Sequence, residues 1–346
     1  MQKLNSLFFI FFLRKYSSLT LLLFFSTFVI VAQGVAQEII RRAAFDFGSG
    51  SIKLQVSDVD VETNTILTTH FITNIKVPFL EDLAVSPTGS FSSAIEQKAF
   101  DALFRLKNAA EEYGAEAFSG FATEAFRKAN NGEELLKNIL ERTGIFVHLV
   151  SQEMEAELGF RTALLLSEEK EDNVLAWDSG AGSTQLVVCI GGDLLQSIQM
   201  PLGAISSAHL ILSAVQGRPP EADINPMSAE EFSQSIDLLV SMMPDMPEEW
   251  REREWTVLAV GAFPKWQNQS PRPLFTEVVI SAMERLDKSA VQLGPNAVFH
   301  TATHLLAVSL MKKYGFHQVR VVGSPSGNGS AFLTKAYFWT TPVQRS

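Results

Sequence analysis

Apolar and polar positions along the chain change period repeatedly, and the changes divide it into alternating strands and helices. Residues 43–47 form a short apolar run that ends in a Gly-Ser turn, and 52–57 alternate as a half-buried strand does. A longer strand is read at 67–77. Residues 92–113 carry Ile95, Phe100, Leu103 and Leu106 at helical spacing, with Ser92 or Ser93 as the cap. A strand at 115–121, a helix at 133–143 closed by Gly144, a strand at 145–150 and a helix at 153–167 follow. The charged stretch 167–173 breaks the pattern, and then it begins again. Strands are read at 174–177, 185–190 and 194–200, the last two joined through Gly191-Gly192-Asp193. Helices at 204–215 and 229–243, a strand at 256–260, a long helix at 297–314, a strand at 319–322 and a final helix at 329–337 complete the chain. Residues 216–225 and 267–273 read as loops.

The two halves open alike: strand, aspartate, glycine turn, hydroxyl, strand. The first copy is Phe45-Asp46-Phe47-Gly48-Ser49-Gly50-Ser51, and the second is Trp177-Asp178-Ser179-Gly180-Ala181-Gly182-Ser183-Thr184. A glycine-rich turn after a strand can expose successive backbone N–H groups and let an anion approach them closely. Serine and threonine hydroxyls add donors. An aspartate closing each strand, Asp46 and Asp178, can hold a hydrated Mg²⁺ that bridges phosphate oxygens. One such turn alone reads as an ordinary hairpin. Two copies, each behind an apolar strand, point to a clamp on a phosphate chain from both sides of a cleft.

The first turn resembles the DxGSxS opening of the exopolyphosphatase / guanosine-pentaphosphate phosphatase (Ppx/GppA) family, within the actin-like superfamily. The second resembles that family's DxGGGST turn. Ala122-Thr123-Glu124-Ala125-Phe126-Arg127 is similar to its ATxxxR segment. Val150-Ser151-Gln152-Glu153-Met154-Glu155-Ala156-Glu157-Leu158 is similar to ISGxEEARL, Pro201-Leu202-Gly203-Ala204 to its PLG segment, and Gly327-Asn328-Gly329, more weakly, to its closing GLREG turn. The resemblance implies an α/β fold of two actin-like (ribonuclease H-like) domains, at 37–166 and 167–346. Each has a mixed central sheet flanked by helices, with a cleft between them.

By the same resemblance, Glu155 falls on the catalytic base and Arg127 on a phosphate-contacting arginine. Gly48, Ser49, Ser51, Gly180, Gly182, Ser183 and Thr184 fall on phosphate-binding positions, and Asp46 and Asp178 on the Mg²⁺ site. By residue type alone, Glu153, Glu155 and Glu157 read as a solvated acidic face, and Arg127 as a surface arginine. Lys53 and Lys128 are candidates for local positive charge. The chain departs from the family pattern at several points. Gly50 replaces an asparagine and Ala181 a glycine. Gln185 stands where an acid follows Ser-Thr, Met154 and Glu157 alter EEAR, and Gly261-Ala262-Phe263-Pro264 replaces a Gly-Gly-Thr-type turn.

Charge and the N-terminus narrow the setting. The 346 residues carry 28 Lys and Arg against 38 Asp and Glu, a net charge of −10. Residues 1–36 have a basic start with Lys3, Arg14 and Lys15, an apolar core, and Gly34-Val35-Ala36 before Gln37, the pattern of a cleaved signal peptide. Losing these three cations with a leader that holds no acid takes the net charge to −13. The expectation is export to the periplasm or medium, with an uncleaved N-terminal membrane anchor as the alternative. No later segment is apolar enough for stable membrane insertion. Such acidity excludes general nucleic-acid binding, which needs a basic face. The one cysteine, Cys189, reads as a buried core thiol without a disulfide.

The expected function is therefore an exported, Mg²⁺-dependent hydrolase of phosphoanhydride bonds, acting on polyphosphate or a nucleotide polyphosphate. Ala181 and Gln185 favour an alternative, a catalytically degenerate phosphate- or nucleotide-binding protein of the same fold. A sugar-type kinase is disfavoured by the ATxxxR and Glu155 segments. The sequence leaves a homodimer open.

Overall fold

The computed structural model describes residues 38–192, 194–261, 275–286, 288, 297–323 and 325–339. The leader at 1–36, the loop at 267–273 and residues 262–264 of the replaced turn lie outside them. From Ile40 onward the described residues fall in one compact unit, the larger of two.

The larger unit is built on two five-stranded mixed sheets. The first contains β1 (Ile39–Phe47), β2 (Ser51–Asp60), β3 (Thr65–Lys76), β4 (Ala117–Ala122) and β5 (Phe146–Leu149), in the order β3-β2-β1-β4-β5. The second contains β6 (Val174–Ser179), β7 (Thr184–Ile190), β8 (Leu194–Met200), β9 (Thr256–Gly261) and β10 (Arg320–Val321). Its order is β10-β9-β6-β7-β8, so each half pairs its strands as third, second, first, fourth, fifth. In both, the first, fourth and fifth strands run parallel, and the second and third pair antiparallel. The repeat seen at two short motifs is thus a repeat of topology. The central strands are buried over 42–47 and 174–179, which is why 43–45 and 174–177 read as apolar runs that each lead into an aspartate.

Helices α1 (Phe79–Ala84), α2 (Ser93–Glu112), α3 (Glu124–Lys128) and α4 (Gly132–Thr143) belong to the first half. Ser92 caps α2 by accepting the Ile95 amide at 3.2 Å. Phe47, Phe79, Phe91 and Phe126 pack ring against ring in its core. The second half carries α6 (Ala204–Ala214), α7 (Ala229–Met242), α8 (Glu248–Arg251), α9 (Phe275–Met283) and α10 (Ala297–Tyr314).

Two helices cross between the halves. α5 (Gln152–Ser167) follows the first sheet in sequence but buries Ala156, Phe160 and Ala163 against β6, β7 and β9. α11 (Gly329–Thr334) follows the second sheet but buries Ala331, Phe332 and Leu333 with Ala44, Val59 and Phe121 of the first. The exchange sets the start of each of these helices beside the space between the sheets. The division at 166 and 167 stays a proposal; the packing adds that each half lends the other a helix.

Sequence reading missed α1, α3, α8 and α9. The first three are four to six residues long, too short for a period to register. The final helix stops at Thr334 rather than 337, and Ala336–Trp339 forms a 3-10 turn that brings Phe338 onto Phe332, ring centroids 4.4 Å apart. Cys189 is a buried thiol, as expected. Among the described residues no helix is long and apolar enough to cross a membrane.

Phe332 is fully buried and ties the end of the chain to the first sheet. Phe332→Ala is expected to lower the free energy of unfolding by about 3–5 kcal/mol, read by urea titration. A loss below about 1 kcal/mol would show that α11 is not anchored through this ring.

Candidate active site

Each repeated turn closes in the same way. The Gly48 amide donates to the Ser51 carbonyl at 3.0 Å, and the Gly180 amide to the Ser183 carbonyl at 2.9 Å. The tips Ser49-Gly50 and Ala181-Gly182 meet. A methyl placed on Gly50 would lie 3.7 Å from Ala181 Cβ, and one on Gly182 would lie 2.9 Å from Ser49 Oγ. The same methyl on Gly182 would collide with the Glu124 carboxylate, so closeness of approach, not a positive φ, requires glycine there.

The carbonyls of these turns are tied back into the protein. Ser49 accepts from the Leu80 amide and Gly50 from the Val77 amide, at 3.0 and 3.2 Å. Gly180 accepts from Ala204, and Ala181 from Ile205 and Ser206, so the second turn satisfies the first amides of α6. Gly182 accepts from Ser206 Oγ at 2.7 Å. A methyl on Gly203 would clash with the Ala181 carbonyl, which explains the glycine of Pro201-Leu202-Gly203. By contrast, the amides of Ser49, Gly50, Ala181, Gly182 and Ser183 donate to no acceptor among the described residues. Tied carbonyls and free amides on two facing turns make an anion-binding concavity.

The hydroxyls divide. Ser49, Ser51 and Ser183 line the cavity between the turns, a space of about 410 Å³. Ser183 Oγ accepts from Gln185 Nε2 at 3.1 Å, which leaves its own proton to donate elsewhere. Thr184 is differently placed: its hydroxyl is fully buried, bonded to Ser179 Oγ at 2.7 Å and to the Leu202 carbonyl at 2.5 Å, and it does not line the cavity.

Four carboxylates line this cavity: Asp46, Asp178, Glu155 and, from α1, Glu81. Lys53 Nζ stands 3.0 Å from Asp46 Oδ2. Burial opposes its charge, but Asp46, Asp178 and Glu155 together outweigh burial and raise its pKa. Asn328 reaches both aspartates. Its backbone amide donates to Asp46 Oδ2 at 3.3 Å and its Nδ2 to Asp178 Oδ2 at 2.8 Å. Burial pushes the Asp178 carboxyl up to about 6, against the Asn328 hydrogen bond and the Lys53 charge.

Glu155 lies in the first turn of α5, beyond the cap Ser151, whose Oγ accepts the Met154 amide. Glu153 is exposed and Glu157 pairs with Lys335 at 2.7 Å, but Glu155 is only 8% exposed, so the acidic-face reading fails at this residue. Burial pushes its carboxyl up to about 7, against the pull of Arg127. Arg127 is not a cavity-lining residue. Its Nη2 donates to Glu155 Oε2 at 2.8 Å and its Nη1 to the Val150 carbonyl at 2.9 Å, so its fork holds the glutamate. Lys128 is exposed and pairs with Glu124.

The donor set suits Mg²⁺. That ion takes one or two carboxylates and fills its remaining positions with water and phosphate oxygens. Asp46 and Asp178 supply two carboxylates from opposite sheets beside the free amides. Among the described residues no group of three His, Cys, Asp or Glu forms a closed protein cage.

Sequence reading left Asn328 without a role and gave Lys53 only its charge. It also passed over Gly159, four residues after Glu155 and therefore on the same face of α5. A methyl on Gly159 would lie 2.5 Å from Asp178 Oδ2. A glycine inside a helix one turn from the candidate base was the available signal.

The model of the Ppx/GppA phosphatase family matches residues 59–263. Over 174 residues the chain is 22% identical to a bifunctional 3-dehydroquinate synthase/phosphatase of Fusobacterium nucleatum, covering 47% of this chain and 25% of that protein. The chain spans between 25% and 52% of the length of the curated relatives it matches. A crystal structure of the Aquifex aeolicus Ppx/GppA family member aligns with TM-score 0.64 at 17% identity, covering 86% of this chain and 97% of that one. An exopolyphosphatase from Cytophaga hutchinsonii aligns with TM-score 0.67 at 16% identity, covering 88% and 99%. At such identities the likeness speaks for the fold alone: two mixed sheets flanked by helices, as in two-domain actin-like proteins.

Alanine in place of an interior helical glycine ordinarily stabilises by up to about 1 kcal/mol. Gly159→Ala should do the reverse here, costing about 1–3 kcal/mol by driving into Asp178. Denaturant unfolding checks this, and a stabilised variant would contradict the packing described.

Proposed function

Since the chain belongs to the Ppx/GppA phosphatase family, we propose that it hydrolyses phosphoanhydride bonds of polyphosphate or a nucleotide polyphosphate, with Mg²⁺, outside the cytoplasm. The observation that carries this reading is the set of unpaired amides on two facing turns, with a buried carboxylate beside them. The amides of Ser49, Gly50, Ala181, Gly182 and Ser183, with the Ser49, Ser51 and Ser183 hydroxyls, bind the phosphate chain. Asp46 and Asp178 would hold Mg²⁺, which would offset the charge of the phosphate oxygens and so ease attack on phosphorus.

Glu155, as carboxylate, accepts a hydrogen bond from a water molecule and orients its oxygen toward the terminal phosphorus. As the water oxygen bonds to phosphorus, its proton passes to Glu155, and the bond to the bridging oxygen breaks. The shortened phosphate chain leaves with that oxygen. Arg127 contributes by fixing Glu155 through a charged hydrogen bond. The predominantly acidic chain favours short substrates over a long polyanion, since only local donors offset its field.

A second reading, binding without turnover, draws on Gln185. It is fully buried and donates to Ser183 Oγ, so it adds a donor where a third carboxylate would add a cation ligand. The export signal and the two-domain division of the sequence remain parts of the proposal.

Phosphate release from tripolyphosphate, ATP and guanosine pentaphosphate, each with Mg²⁺, separates the two readings. Glu155→Gln is expected to lose activity about 100-fold or more. In the wild type, activity should fall about tenfold per pH unit below about 7, because protonated Glu155 cannot accept the water proton. The variant's residual activity should lack that slope. Full activity in Glu155→Gln would remove the glutamate from the mechanism, and ligand-induced stabilisation with no release in the wild type would favour the binding protein.

A further inference from the structure

Two carboxylates from different sheets can share one cation only if something holds them in register. The cavity offers one candidate for that task. Asn328 is the only described residue that donates to both, through its backbone amide to Asp46 Oδ2 at 3.3 Å and through Nδ2 to Asp178 Oδ2 at 2.8 Å. It lies at the N-cap of α11, whose Phe332 is locked into the first sheet, so its position is set by the core and not by a loose loop. Gly327 before it has φ +61° and passes so close to Asp46 that a methyl there would overlap Oδ2. The segment is shaped to press one backbone amide and one side-chain amide onto two carboxylates at once.

The choice of oxygens is selective. Lys53 and the Asn328 amide both take Oδ2 of Asp46, and the Asn328 side chain takes Oδ2 of Asp178. No donor among the described residues reaches Oδ1 of either aspartate. Asparagine suits this position because its NH₂ donates without adding charge. A carboxylate there would set a further anion against Asp178, and an aliphatic side chain would leave Asp178 Oδ2 without its donor.

We propose that Asn328 is a positioning residue for a divalent cation: it engages Oδ2 of Asp46 and of Asp178 and leaves the two Oδ1 atoms to bind Mg²⁺ from opposite sides of the cleft. It acts through the two aspartates and has no part in the reaction itself. The inference rests on the proposed function for the identity of the metal, not for turnover. Groups that orient metal ligands typically set metal affinity by about 10- to 100-fold when removed.

The test is Mg²⁺ alone, titrated into the full chain and followed by thermal unfolding and by calorimetry, with Asn328→Ala and Asn328→Ser beside the wild type. Both variants keep the backbone amide, and serine keeps a small polar side chain should alanine fold poorly. The expected result is a Mg²⁺ midpoint at least tenfold higher in both. Asn328→Ala takes a donor from a buried carboxylate and should unfold at a somewhat lower temperature without Mg²⁺. The midpoint is therefore the readout, and phosphate release, where present, should recover as Mg²⁺ is raised. A Mg²⁺ midpoint unchanged in the variants, or a wild type that binds no Mg²⁺, overturns the proposal. If the wild type releases no phosphate from any substrate but the midpoint still moves, the phosphatase reading fails and the role of Asn328 stands. If phosphate release is normal and the midpoint does not move, the reverse holds.

Discussion

The site depends on an imbalance in backbone hydrogen bonding. Buried carbonyls and amides in a folded chain are nearly all paired. At the two facing turns the carbonyls follow that rule and the amides of Ser49, Gly50, Ala181, Gly182 and Ser183 do not. The carbonyls are occupied by α6, by Leu80 and by Val77, which turns the peptide dipoles so that their positive ends face the cavity. An anion would complete this arrangement. The fold supplies the geometry twice, because each half carries the same strand order and places its first turn at the same end of its central strand.

The carboxylates follow from a second constraint. Asp46, Asp178, Glu155 and Glu81 share a small space with Lys53 and Lys76, and burial raises the pKa of Asp178, Glu155 and Glu81. Four acids against two lysines leave an anion site repulsive unless a further cation joins them. The same cavity therefore calls for a bound cation when phosphate is present, and burial sets the Glu155 carboxyl to exchange its proton near neutrality. Arg127 behind Glu155 keeps that glutamate from being neutral at every pH, and Asn328 keeps the aspartates from turning away. The exchanged helices explain how such distant residues converge. α5 delivers Glu155 and Gly159 from the first half against the second sheet, and α11 delivers Asn328 from the second half beside the first.

Much of this was legible in the sequence because it is written in local patterns. The turns at Asp46 and Asp178 repeat, an apolar run leads into each aspartate, and Ser92 and Gly144 mark helix ends where the structure has them. Glu155 was reached by resemblance, not by chemistry, since three alternate glutamates look alike until burial distinguishes them. What stayed hidden depends on distance across the fold. Arg127 looked like a phosphate contact, but its fork is spent on Glu155 and Val150. Thr184 looked like a donor to ligand, but its place in β7 turns its hydroxyl inward to Ser179. Asn328 is 150 residues from Asp178 and 282 from Asp46, and no period or spacing joins them.

The central claim is that both turns hold one anion through backbone amides. Amide proton and nitrogen shifts, followed while tripolyphosphate and Mg²⁺ are added to Glu155→Gln protein, report on it directly. The account predicts that the amides of Ser49, Gly50, Ala181, Gly182 and Ser183 move together along a single binding curve. Movement confined to one turn, or to neither, would contradict it.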